Sequence, residues 1–515
     1  MIALLVAALA MASPQSQDVG EVAFANSGSP AAQEAFLRGL ALLHNFEYGP
    51  AAESFRAAQK IDPEFAMAFW GEAMTFNHPL WAQQDAEAAR AVLARAPRGK
   101  TPRERDYLHT LDVLYGEGTK HERDLKYADA MAALHDRYPE DVDATALYAL
   151  SLLGTTAERR DYATYMRAAA LLEELFPAHQ HHPGVLHYLI HSYDDPVHAP
   201  LGVRAARLYG NVAPNAGHAL HMTSHIYVAM GMWDEVIDAN RRAVDVVNRS
   251  RAAKSLPPQA CGHYRIWLEY GYLQEERFGE ARTVMDECRA SALTETGQAK
   301  NLSLDPEYSS TASYATMRAL YAGSGGRIEP PDPFSVSDPA FVAAKFTIAY
   351  SDALAALQRG DATAVNDAVS RAHAAAREIG AINKPHEKGS ERVAVVLMEI
   401  DALQSIAAGK HAEAIALLRK TVDAEEAMAF QFGPPAVEKP AVELLADELL
   451  ATGRTAEAEE SYRAALRRTP GRTRALEGLF AAQKALGKNE DAARTAALLD
   501  RYRRPAGAPP ATSKQ

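Results

Sequence analysis

Eighteen histidines occur in this chain of 515 residues, and they concentrate between His179 and His225. Two pairs there share one spacing, His187 with His191 and His221 with His225, and the second HxxxH pair follows the first by 34 residues. On a helix, side chains four residues apart lie about 40° apart on one face, one turn above each other. Both imidazoles of such a pair can therefore ligate one ion. Imidazole suits zinc, copper, iron and nickel, and a carboxylate from Asp194 or Asp195 would complete the shell or orient a histidine through its other nitrogen. The expected cofactor is a divalent transition metal, copper or zinc. The HExxH motif of zinc hydrolases is absent, because Tyr188 and Met222 stand where its general base would be. A hydrolase would have to take that base from Glu72 or Asp195, so donor type alone leaves catalysis open.

The elements that must position these histidines repeat along the chain. Residues 32–65 carry Gly39, Leu42, Ala51, Phe55, Ala58 and Pro63, and residues 439–472 carry Ala446, Leu449, Ala458, Tyr462, Ala465 and Pro470 at the same offsets. Small residues let two antiparallel helices approach, aromatic or branched residues fill between them, and the proline ends the second helix. Further copies begin at 183 and 217, with weaker ones around 108–141, 142–177, 262–295, 395–428 and 473–503. This 34-residue pattern resembles the tetratricopeptide repeat, a helix–turn–helix unit. The resemblance implies an all-α solenoid of roughly ten to twelve units.

The resemblance also supplies a face. In that family, positions 2, 5, 9 and 12 of each first helix line a concave ligand groove. The two histidine pairs occupy positions 5 and 9 of successive first helices, His218 falls at position 2 and Asp194 at position 12. Glu72 falls near position 9 of its own repeat, and His78 and His263 are outlying candidates. Neighbouring first helices lie within about 8–10 Å, so these side chains are expected to converge. The competing reading is a non-catalytic scaffold whose polar groove holds a peptide, a partner protein or a small molecule without metal. The strings at 70–81, 182–202, 218–234 and 432–453 also resemble a group of exported bacterial tetratricopeptide proteins. That likeness implies fold and no activity.

Composition bounds the rest. Hydrophobic residues make up 48% and charged residues 23%, enough for a sizeable core. The formal charge of −12 opposes a sequence-independent nucleic-acid binder, so nucleic acid is not an expected partner. The apolar run from Ile2 to Met11, with Ala10-Met11-Ala12 as a small-x-small site, predicts a signal peptide over 1–12 and a periplasmic or secreted protein. No later stretch reaches the roughly 18–20 apolar residues of a bilayer span, so stable membrane insertion is not expected. Residues 13–31 are expected to be a flexible lead, 32–322 and 340–504 two repeat arrays, 323–339 a Gly/Pro-rich boundary, and 505–515 a disordered tail. Cys261 and Cys288 fall at the start and end of one helix pair, a placement equally compatible with a disulfide and with two buried thiols. Gly99-Lys100-Thr101 imitates a phosphate loop, yet Ala94 stands where its first glycine belongs.

Overall fold

The computed structural model describes residues 18–156, 159–295, 309–328, 341–382 and 390–503. The expected signal peptide, the tail 505–515 and most of the boundary segment lie outside the described residues. Among the described residues the chain forms 23 α-helices and one two-stranded hairpin. The helices follow one another as antiparallel pairs, with Ser310–Gly323 standing between pairs. Each unit is thus a succession of helix–turn–helix pairs, the helical-repeat organisation that the 34-residue pattern predicts. None of these helices is long and apolar enough to cross a membrane.

Two compact units result. The first comprises residues 1–194 and 198–226, and the second residues 195–197 and 227–515. The division therefore runs through the helix Gly217–Met230, while Gly323 lies inside the second unit.

In the first unit, the pair Gln33–His44 and Tyr48–Ile61 shows how the repeat positions work. Phe55 is fully buried between the helices, and a Cβ on Gly39 or Gly71 would overlap its ring. Helix starts are written locally: Thr101 with Glu104 and Thr119 with Glu122 form capping boxes, and Asp141 and Asp161 accept from the backbone of Ala144 and Thr164. Ala66–Met74 and Ala86–Leu93 are separated by the hairpin in which Asn77 pairs with Gln84 and His78 with Gln83. The described part of the expected flexible lead is packed instead. Phe24 is buried against Phe36, Trp70 and Tyr107, and Ser27 N donates to the buried Glu104 carboxylate at 2.7 Å. One aromatic ring in the core outweighs the absence of regular structure around it.

In the second unit, the final pair Thr473–Ala485 and Asn489–Tyr502 packs on the helix His263–Gln274. Thr473 N donates to Gln274 Oε1 at 3.1 Å, and Arg503 pairs with Glu276 at 3.0 Å. Cys261 and Cys288 form a disulfide across a sequence separation of 27, which decides between the two sequence readings. Replacing both cysteines with serine is expected to cost the second unit about 2–4 kcal/mol, because the loop they close is no longer constrained in the unfolded chain. Urea denaturation of the oxidised protein and the double variant measures it, and equal midpoints would refute it.

Candidate metal centre

Three helices position the histidines: the end of Gln33–His44, Pro183–Tyr193, and Gly217–Met230. The first of these ends unusually. Glu47 N returns to Leu42 O and Phe46 N to Leu43 O, each at 3.0 Å, the two bonds of a Schellman cap. That cap places Phe46 in the left-handed region, at φ 57°, where glycine is the ordinary choice and a bulky side chain costs roughly 1–2 kcal/mol. What the strain secures is visible in the packing. The Phe46 ring lies 4.3 Å from that of His187, 5.9 Å from His191 and 5.6 Å from His218, centroid to centroid.

The neighbours of Phe46 serve the same place. The main-chain carbonyl of His44 accepts from His187 Nδ1 at 2.7 Å. Asn45 Oδ1 accepts from Tyr209 Oη at 2.7 Å, and the Tyr209 ring stacks on His187. Glu47 Oε1 accepts from His218 N at 3.0 Å, a carboxylate at the helix terminus that carries His218, His221 and His225. Burial pushes the Glu47 pKa up, against the hydrogen bonds from His218 and Gly217 that pull it down.

Within each HxxxH pair the Nε2 atoms face each other. His187 and His191 are 3.1 Å apart at Nε2, and so are His221 and His225. Two imidazole nitrogens on a tetrahedral ion at about 2.0–2.1 Å would stand about 3.3 Å apart, so little movement separates this geometry from a ligating one. A carbonyl only accepts, so His187 Nδ1 carries its proton and leaves a lone pair on Nε2. His225 is set the same way, its Nδ1 lying 2.6 Å from the Asp194 carboxylate. A fixed acceptor behind the outer nitrogen is the usual support of a metal-bound histidine. One nitrogen each of His187, His191 and His218 falls within 4.8 Å of the others, so this group is geometrically able to hold an ion.

Electrostatics favour the neutral ligand form. Burial, with His191 alongside, drives the His187 pKa well below the ordinary imidazole value. Burial does the same for His191, reinforced by His225 and His218. Both rings therefore offer lone pairs at neutral pH.

A second group, His44, Asp143 and His182, lies behind the first. His44 Nε2 and His182 Nε2 approach Asp143 Oδ1 at 2.9 and 3.3 Å, and His44 Nδ1 meets Tyr188 Oη at 2.9 Å. His182 Nδ1 accepts from Val185 N, capping the helix Pro183–Tyr193, which places the His182 proton on Nε2. A protonated Nε2 donates and does not ligate. These three side chains are thus a support that anchors His44, whose carbonyl holds His187. Burial alone would raise the Asp143 pKa, but the hydrogen bonds from His182 and His44 prevail and hold it well below the usual carboxylate range.

Glu72 and His78 have partners of their own, and Asp195 and His263 belong to the second unit. Glu72 is buried with Gln59 Nε2 at 2.7 Å and Arg56 at 3.2 Å, an ionic contact within its own neighbourhood. His78 stacks on Tyr48 at 4.0 Å, and its Nε2 lies 3.2 Å from Thr75 O. Asp195 Oδ1 accepts from Val197 N at 2.9 Å in a turn. His263 belongs to the second unit, where its ring lies beside Trp267. Four residues that position the site, His44, Phe46, Glu47 and Asp143, carry no spacing signal that connects them to the HxxxH pairs.

No protein-family model matches the sequence, and no curated protein matches it. Among solved structures, the chain is similar to the TPR domain of P58(IPK), at 13% identity over 89% of this chain and 99% of that one, with a TM-score of 0.21. It is also similar to human IFIT1 as a dimer with PPP-AAAA, at 12% identity over 91% of this chain and 90% of that one, with a TM-score of 0.31. A second human IFIT1 dimer, with m7Gppp-AAAA, gives 12% identity, 92% and 91% coverage, and a TM-score of 0.32. What those proteins bind is a property of theirs.

Proposed function

We propose that this is an exported helical-repeat protein that binds a divalent transition metal, copper or zinc, through His187, His191, His221 and His225, with His218 beside them. One observation carries the reading: in both HxxxH pairs a histidine is fixed at Nδ1 by an acceptor, so that its Nε2 lone pair faces a second imidazole 3.1 Å away. An all-imidazole shell leaves the ion's charge uncompensated by its ligands and so able to polarise bound water, which supports a metalloenzyme as the narrower form of the reading. Export is supported by the apolar amino-terminal run and by the Cys261–Cys288 disulfide, a bond that persists in oxidising compartments.

A distance of 3.1 Å is also a hydrogen-bond length, and on that observation the second reading stands: a scaffold that binds a peptide or protein in its groove without metal. Elemental analysis of the natively purified protein separates the two. Stoichiometric copper or zinc is expected, with loss of most of it in the His187→Ala, His221→Ala double variant. The bound metal should raise the melting temperature and chelation should lower it. Metal-free protein whose melting is indifferent to zinc, copper and chelator would leave the scaffold reading alone.

A further inference from the structure

We propose that the centre holds two ions, one on each HxxxH helix, and not one ion shared by all four histidines; the inference rests on the metal-binding reading above. Its ground is that each pair closes on itself. The Nε2 atoms meet at 3.1 Å within the helix Pro183–Tyr193 and again at 3.1 Å within Gly217–Met230. Between the helices the rings of His191 and His225 are 6.0 Å apart at their centroids, against 4.8 and 5.0 Å inside the pairs. A single shell would require all four nitrogens to converge equally.

Each half also has its own support and its own complement. His187 is held by the His44 carbonyl, and its pair gains a third imidazole, because His218 lies within 4.8 Å of both partners. His221 and His225 fall in a separate group of possible ligands. In their half, His225 is held by the Asp194 carboxylate, which contributes a negative charge behind the ring. The supports of the two halves therefore differ, a neutral main-chain carbonyl behind His187 and an anionic carboxylate behind His225. The 34-residue repeat accounts for the duplication, since the same two positions of successive first helices have been given the same ligands.

The test uses the full-length chain, stripped with chelator and titrated with copper(II). Two equivalents are expected to bind. The electron paramagnetic resonance signal should double less than fully and broaden between the first and second equivalent, as two nearby spins couple. The pair of substitutions His221→Ala and His225→Ala should leave one ion, and so should His187→Ala with His191→Ala, each folded by its circular dichroism. One ion bound by the unaltered chain, or loss of all binding in both folded variants, overturns the two-ion inference and leaves the metal reading intact. No copper bound at all removes both. Should a variant fail to fold, stoichiometry and spin coupling of the unaltered chain decide.

Discussion

Replacing Asp143 with alanine is expected to cost the first unit about 3–5 kcal/mol of stability, since two buried donors lose their acceptor at about 1–3 kcal/mol each and a void is left behind. Those donors are His44 Nε2 and His182 Nε2, in residues at most 5% exposed. The effect should reach metal binding at the proposed centre. With Asp143 gone, His44 keeps its ring hydrogen bond to Tyr188 but loses the one at Nε2, and the main-chain carbonyl that fixes His187 Nδ1 is less constrained. Loss of such an outer support typically weakens a metal site by about 10–100-fold. The pH dependence has a definite sign. Because the carboxyl titrates well below its ordinary range when folded, its stabilisation is present above that range and is lost as pH falls through it. The gap between the native and variant proteins in urea denaturation should therefore be full at pH 7 and shrink below about pH 4. A variant that is as stable as the native protein, or a gap that widens in acid, would contradict the role given to Asp143.

The repeat and the histidine pairs were legible in the sequence because both are periodic. Phe55 and Tyr462 recur at one offset and are buried as that offset requires, and the two HxxxH pairs recur at the same interval. The support of the site was not legible, because it is not periodic. His44 and His187 are separated by 143 positions, and His44 and Asp143 by 99, so only the packing of distant helices within the first unit brings them together. Phe46 conceals a helix end, since the cap position that glycine ordinarily marks carries an aromatic ring needed against the histidines. Glu72 shows the opposite failure. Its repeat position points to the groove, but Arg56 and Gln59 meet it from the preceding helix and supply its partners. The packing of the amino-terminal lead leaves no periodic signal, because it rests on scattered residues: the buried Val19 and Phe24 and the bond from Ser27 N to Glu104. The division between the units, in the middle of Gly217–Met230, has no turn residue or charge run to announce it.

Two buried glutamates in the second unit should respond oppositely to one substitution, and the contrast tests how its interior is charged. Glu443 is fully buried between Arg472 at 2.6 Å and Lys439 at 2.7 Å. Burial works against its charge, yet Arg472 and Lys439 outweigh it and hold the pKa down at about 2. Glu443→Gln leaves Lys439 with Asp447, at 2.6 Å, but leaves Arg472, itself fully buried, with no carboxylate. Its remaining partners are Tyr270 Oη at 3.4 Å and the carbonyls of Glu438 and Gly323. A buried ion left without its counter-charge costs about 3–5 kcal/mol. Glu269 is also fully buried, but neither of its oxygens has a hydrogen-bond partner, and burial raises its pKa well above the usual range. Glu269→Gln removes that ionisation and is expected to stabilise the unit by about 1–3 kcal/mol at pH 7, each pH unit above the ordinary carboxylate value counting for about 1.4 kcal/mol. The depressed group stabilises above its unfolded pKa and loses that contribution as pH falls toward 2; the raised group is harmless below its unfolded pKa and costs stability as pH rises. Denaturation midpoints at pH 8 should therefore separate the two variants most, on opposite sides of the native protein; near pH 4 Glu269→Gln should meet the native protein, whereas Glu443→Gln should approach it only toward pH 2. A destabilised Glu269→Gln, or a gain that does not change with pH, would mean that Glu269 is ionised and paired in the folded protein, and its place in the core would then be that of a second Glu443.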